Sequence, residues 1–155
     1  MYTTLLPFHS LIRWLIVAGM SYSLYRACLG VYGDAPFTRR DSWISRWTGH
    51  FSHLQLLIGL VLYLKSPTAT YFRTAPADAM QYSEYAFFGL YHIVVMVVAI
   101  VLVTIGSATA KRGQTDGEKH KKILVWYGIA ALLILLAIPW PFHPLAPRPY
   151  LRALF

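Results

Sequence analysis

The sequence predicts an all-α integral membrane protein, an up-down four-helix bundle with both termini outside (N-out/C-out) and a proline-rich C-terminal tail. Three observations carry this. Residues 85–110, YAFFGLYHIVVMVVAIVLVTIGSATA, hold no charged side chain over roughly 25 residues, which at about 1.5 Å per residue matches a hydrocarbon core of about 30 Å. The whole chain is 57% hydrophobic, well above a soluble globular average, and its 155 residues suit one domain. Its 14 basic residues outnumber 6 acidic ones but fall between apolar runs, so the net charge of +8 reads as membrane topology and not as a nucleic-acid patch.

The first span is expected over residues 5–29, with Pro7 tolerated in its first turn, where amide groups lack intrahelical acceptors. His9, Ser10 and Arg13 all lie near its start, and the i,i+4 spacing of His9 and Arg13 puts both on one face. Their Cβ tilt aims them back toward the helix start, so Arg13 reaches the interface past His9. GVYGDAP then breaks the helix, and Arg39, Arg40 and Arg46 beside Trp43 and Trp47 make a basic, aromatic interfacial loop.

The second span is expected over residues 42–64, with Asp41 as a candidate N-cap. In its core, HFSHLQLLIGLVLYL, His50 and His53 are i,i+3 neighbours and Gln55 favours the bundle interior. Residues 65–84 form a connection longer than most, punctuated by Pro67 and Pro76 and expected to fold over the membrane surface. The third span is the 85–110 stretch itself. Gly106 and Ala110 near its end allow close helix approach. After a polar turn that Thr115 or Asp116 would cap, the fourth span covers residues 119–138, its apolar part beginning at Ile123 and its end set by Pro139 and Pro141. The tail, 139–155, cannot continue as regular helix and is expected along the surface or against a partner.

Orientation follows from counting basic residues. Loop one holds Arg26, Arg39, Arg40 and Arg46, and loop three Lys111, Arg112, Lys119, Lys121 and Lys122, against only Lys65 and Arg73 in loop two. Loops one and three are therefore placed in the cytoplasm, although Arg148 and Arg152 in the tail reduce the contrast. MYTTLLPFHS has no basic n-region or small-residue cleavage site and is not read as a signal peptide. The lone cysteine, Cys28, allows no internal disulfide and reads as a packing residue.

Topology then sorts the histidines by depth. His9 and His92 fall toward the outer side, and His50, His53 and His120 toward the inner. In an up-down bundle, spans one and three are diagonal, as are two and four, so each group can face across the axis. Two imidazoles approaching one iron from different helices, within apolar walls, are what a haem b site requires. The outer candidate is His9 with His92, with Arg13 placed for the propionates; the inner is His53 with His120, with His50 as an alternate ligand. The structural alternative for each is a helix-helix hydrogen bond, and for Arg13 a pair with Glu84 or the C-terminal carboxylate of Phe155. His143 reads as a surface residue. HxxH at His50 lacks the glutamate of a zinc hydrolase, carboxylates are too few for a di-iron site, and no phosphate loop or nucleophile elbow is present.

HSLIRW in span one, HLQLLIGL in span two, YH and IGSATAKR in span three, and KHKK before span four give the chain a resemblance to small bacterial four-helix membrane proteins labelled cytochrome-b-like, with a layout similar to the SirB family. The resemblance extends nearly to Trp140. It implies a multi-pass protein of the bacterial inner membrane, with His9, Arg13, His53, His92 and His120 as the positions that match the pattern. The expected function is electron transfer by one or two haem b groups (haem iron on His9, His92, His53 and His120), alone or as a small subunit of a redox complex. The alternative is a cofactor-free accessory subunit docked on other membrane-protein subunits. A stand-alone enzyme is less favoured than either, and a quinone is the lesser candidate for a small-molecule partner.

Overall fold

The computed structural model describes residues 2–150, all of whose regular elements are helical. Four helices are long: α1 (Tyr2–Tyr32), α2 (Arg39–Lys65), α6 (His92–Lys111) and α7 (Asp116–Ala137). Between α2 and α6 the chain forms α3 (Pro67–Thr74), α4 (Pro76–Ala79) and α5 (Ser83–Ala86), and a π-helical turn (Phe87–Tyr91) joins α5 to α6. The long helices meet in the order α1, α2, α6, α7 and back to α1, so α1 and α6 stand on one diagonal.

Among the described residues, three helices are long and apolar enough to cross a membrane: Tyr2–Tyr32, Ser83–Lys111 and Asp116–Ala137. α2 is not one of them, because Arg39, Arg40, Asp41, Arg46, His50, His53 and Gln55 dilute its apolar residues. Its packing is equally unlike that of its neighbours. The buried apolar cluster is made by Ile16, Met20 and Ala27 of α1, Ala99, Val103 and Ala110 of α6, and Ile123, Tyr127, Ala130 and Ile134 of α7. α2 instead buries Asp41, Ser45, Thr48, Gly49 and Ser52, with the apolar Leu62 toward its end.

Those hydroxyls are satisfied within the helix: Thr48 donates to the Ile44 carbonyl at 2.9 Å and Ser52 to the Thr48 carbonyl at 2.8 Å. Small side chains let α2 come close, and at Gly19 of α1 a Cβ would overlap Thr48 Oγ1. Tyr127 Oη donates to the Ser45 carbonyl at 2.8 Å, which leaves it to accept from Ser107 Oγ at 2.7 Å. The outward faces are apolar by contrast: Val94, Val98 and Val101 of α6 are between 46% and 51% exposed.

The start of α2 differs from expectation. Thr38, not Asp41, is the N-cap: its Oγ1 accepts from the Asp41 amide at 3.2 Å, while Asp41 accepts from the Thr38 amide at 2.8 Å in a reciprocal capping box. Asp41 is thereby free to take a bidentate pair from Arg26 of α1, at 2.8 and 3.0 Å. Burial pushes the Asp41 carboxyl up, but the Arg26 hydrogen bond and then the Thr38 donors outweigh it and hold it at about 2, down from 3.8. A carboxyl depressed in the folded state adds stability that is complete above its unfolded value and is lost as pH falls through its folded one. Melting of the protein in detergent is therefore expected to weaken between about pH 4 and pH 2, and Asp41→Asn should remove about 2 kcal/mol at neutral pH and flatten that acid limb.

α7 begins earlier than residue 119. Thr115 caps it, accepting from the Glu118 amide at 3.2 Å, and the KHKK run is helical. Residues 65–84 are not an open loop, since Ser66 ends α2 and caps α3, where Pro67 takes the first position. The tail folds back over the end of the bundle where α1 begins: Ala146 is fully buried, and Trp14, Trp140 and Tyr150 pack as one aromatic group with centroids 6.0 to 6.5 Å apart. Residues 151–155, which include Arg152 and Phe155, lie outside the described residues. Cys28 is exposed and not packed in the core.

Candidate functional site

At the tail end of the bundle the four long helices line a cavity of about 190 Å³. α1 gives it His9, Ser10 and Arg13, α2 gives Gln55, Gly59 and Tyr63, and α6 gives His92, Met96 and Ile100. Ile134 of α7 and the tail residues Pro139, Arg148 and Pro149 complete the wall. His9 and His92 thus come from helices on the diagonal and meet one space.

The two rings are held differently. His92 Nδ1 lies 2.8 Å from the carbonyl of Ala137. A carbonyl only accepts, so Nδ1 carries the proton and Nε2 keeps the lone pair. The rings of Phe87 and Phe88 stand 5.6 and 6.0 Å from the His92 ring. His9 has no such anchor: its Nδ1 is buried without a hydrogen-bond partner. Gly59 provides the room for that ring, since a Cβ there would come within 3.3 Å of His9 Cε1. Gln55 donates its amide Nε2 to the His9 carbonyl at 2.9 Å, which leaves its Oε1 buried and unpaired as well. Two orphaned polar atoms beside one imidazole are costly in an apolar wall and mark the place where a guest would supply contacts.

Charge gathers at the mouth. Arg13 donates to Ser10 Oγ at 3.3 Å and to the Tyr150 carbonyl, and the Trp14 indole donates to the same carbonyl at 3.1 Å. Glu84 is paired with Arg148 of the tail, not with Arg13, and the Arg148 guanidinium sits 5.0 Å over the Phe88 ring. Arg148 is the site residue that sequence reasoning missed. Its one signal was position in a proline-rich segment that could not be helical, which said nothing about where the segment would fold.

The inner candidates go to separate places. His53 is exposed on α2 and its Nε2 pairs with Thr104 Oγ1 of α6 at 3.0 Å. His120 is 1% exposed and packs on Gly30 of α1, with the Phe37 ring at 5.0 Å and its own Nε2 unpartnered. His50 is exposed and lies edge-on to Trp47. No observed contact joins His53 to His120. His143, read as surface, is half-buried: Nε2 donates to the Leu136 carbonyl at 3.2 Å, Nδ1 accepts from the Leu145 amide, and the ring lies 4.7 Å from Phe87. Among the described residues no three His, Cys, Asp or Glu side chains gather to hold a metal ion; His9 and His92 are the imidazoles that line the cavity.

No known family, curated protein or solved structure matches the chain.

Proposed function

We propose that this chain is an integral four-helix protein of the bacterial inner membrane that holds one haem b between His9 and His92 and passes electrons, alone or within a larger redox complex. The observation that carries the reading is the cavity itself, where an imidazole from each of two diagonal helices meets one apolar space and where His92 already has its Nδ1 proton tied to a carbonyl. That second contact is what an iron-ligating histidine uses to fix its tautomer and direction. Arg13 at the mouth suits a propionate. A bound haem would supply one-electron chemistry. The chain's part is to orient both rings, surround the macrocycle with Met96, Ile100, Ile134 and Leu56, and keep water from it.

The donor set fits; the enclosed space is smaller than the roughly 300–1,000 Å³ usual for pockets of this kind. Pro139, Arg148 and Pro149 form one wall, so admitting a macrocycle calls for the tail to lift from the bundle. Membrane placement rests on the three long apolar helices, on valines facing outward while α2 buries hydroxyls, and on the basic residues at the opposite end, which the positive-inside rule puts in the cytoplasm.

The test is a reduced-minus-oxidised spectrum of the protein purified in mild detergent, with a pyridine haemochrome assay. A Soret and an alpha band are expected at about one haem per chain. Their absence after haem supplementation would remove the proposal. A second reading, that the chain is an accessory subunit, is favoured by the exposed His53 and Thr104 pair: polar groups on an outward face gain from a protein neighbour that lipid cannot replace. Under it the purified protein is colourless and co-elutes with other subunits.

A further inference from the structure

The cavity depends on one irregular piece of backbone. Where α5 runs into α6, the His92 amide bonds to the Phe87 carbonyl five residues back, so the helix carries an extra residue in that turn. One inserted residue turns everything before it by about 100° relative to everything after it. On one side of the turn, Phe87 is buried, and its ring lies tilted against those of His92 and His143, 5.6 and 4.7 Å away. On the other, His92 faces the cavity and reaches Ala137. A straight α-helix would not present both residues in these directions.

Two groups outside the helix hold that turn. Tyr63, at the end of α2, donates its hydroxyl to the Gly89 carbonyl at 3.0 Å, satisfying an acceptor inside the irregular turn. Tyr63 is itself fixed, since Arg73 donates to its carbonyl at 2.8 Å and stands 5.1 Å over its ring. On the same turn, the ring of Phe72 in α3 occupies the place where a side chain at Gly89 would lie, with Cβ of Phe72 2.5 Å and Cδ2 2.6 Å from that position. Only glycine lets the π-turn press this closely on α3.

We propose that Tyr63 and Phe72 are positioning residues for His92: by clamping the Phe87–Tyr91 turn they set the direction of its imidazole into the cavity. The inference rests on and deepens the haem reading, because the aimed ring is one of the two that would hold the group, and it accounts for the short helix α3, which would otherwise be a mere connector. Without the clamp, α6 relaxes toward regular α-helix, the His92 ring rotates away from Ala137 and its tautomer is no longer fixed.

The test uses full-length protein from haem-limited cells, labelled with nitrogen-15 at histidine, and the variants Tyr63→Phe and Gly89→Ala. Nitrogen NMR of the wild type should show His92 as a single Nδ1-protonated ring. Both variants should show a tautomer mixture at that residue, with unchanged helical circular dichroism, and on haem titration about tenfold weaker retention. Phe72→Ala alone, which takes the ring off the turn, should give the same tautomer mixture. Should Gly89→Ala fail to fold, Tyr63→Phe decides alone. A wild-type tautomer and wild-type haem retention in Tyr63→Phe would overturn the inference. A wild type that never binds haem would overturn the electron-carrier reading instead, while the tautomer signal still decides the role of the clamp.

Discussion

His92→Ala protein is expected to emerge from purification without its haem bands, and His9→Ala likewise, while His53→Ala keeps them at wild-type height. The size of the effect follows from what each ring does. Removing only the hydrogen-bonding support of a ligating histidine costs about tenfold to a hundredfold in metal affinity, and removing the ligand costs more. His92 is tied to Ala137 and lines the cavity, and His9 lines it from the opposite helix, so each loss leaves a single imidazole. His53 is spent on Thr104 at the outward face of α2 and α6. The measurement is the ratio of haemochrome absorbance to protein. Equal loss in all three variants would mean that His53 enters the same site and that this packing is wrong, and retention in His92→Ala would leave the cavity without its proposed ligand.

The largest effect on stability is expected from Gly30→Ala. A Cβ at Gly30 would fall within the His120 ring, and that ring has nowhere to go: it is 1% exposed and backed by Phe37. Overpacking of a closed core costs about 1–3 kcal/mol and sometimes more, against a gain of less than about 1 kcal/mol from replacing a helical glycine. The informative control is Gly128→Ala in α7, where nothing lies within 4 Å of the new carbon. That change should raise the melting temperature in detergent by the helix-propensity term alone, so the two alanines shift it in opposite directions. Adding His120→Ala to Gly30→Ala should recover part of the loss. A neutral Gly30→Ala would show that α1 and α7 are farther apart here than described.

The helical character and the chain breaks were legible because they depend on local chemistry. Long, predominantly apolar stretches mark the three helices long enough to cross a membrane, and Pro67, Pro139 and the Gly33 to Pro36 segment act through their own backbone limits. The joint presence of His9 and His92 in one cavity was also within reach, since both lie near the start of alternate spans. What escaped depends on distant partners. Asp41 looks like a cap by sequence, and only the approach of Arg26 makes it the acidic half of an ion pair beside a Thr38 cap. His53 and His120 looked alike in depth by sequence, but His53 meets Thr104 within α6 and turns outward, whereas His120 sits near the start of α7 and turns inward to Gly30. The π-turn has no residue signature at all, and the return of the tail depends on Arg148 finding Glu84 across 64 residues of chain.

One consequence concerns how the protein is made. In a bilayer, α2 would be the member that partitions least well by itself: its buried stripe of Ser45, Thr48 and Ser52 would meet hydrocarbon if it entered unaccompanied. α1 precedes it and brings Gly19 to receive Thr48 and Arg26 to receive Asp41. On the integral-bundle proposal, the two segments would enter the lipid as a paired hairpin, and the apolar helices that emerge later from the ribosome would close over a pair whose mutual recognition is already complete.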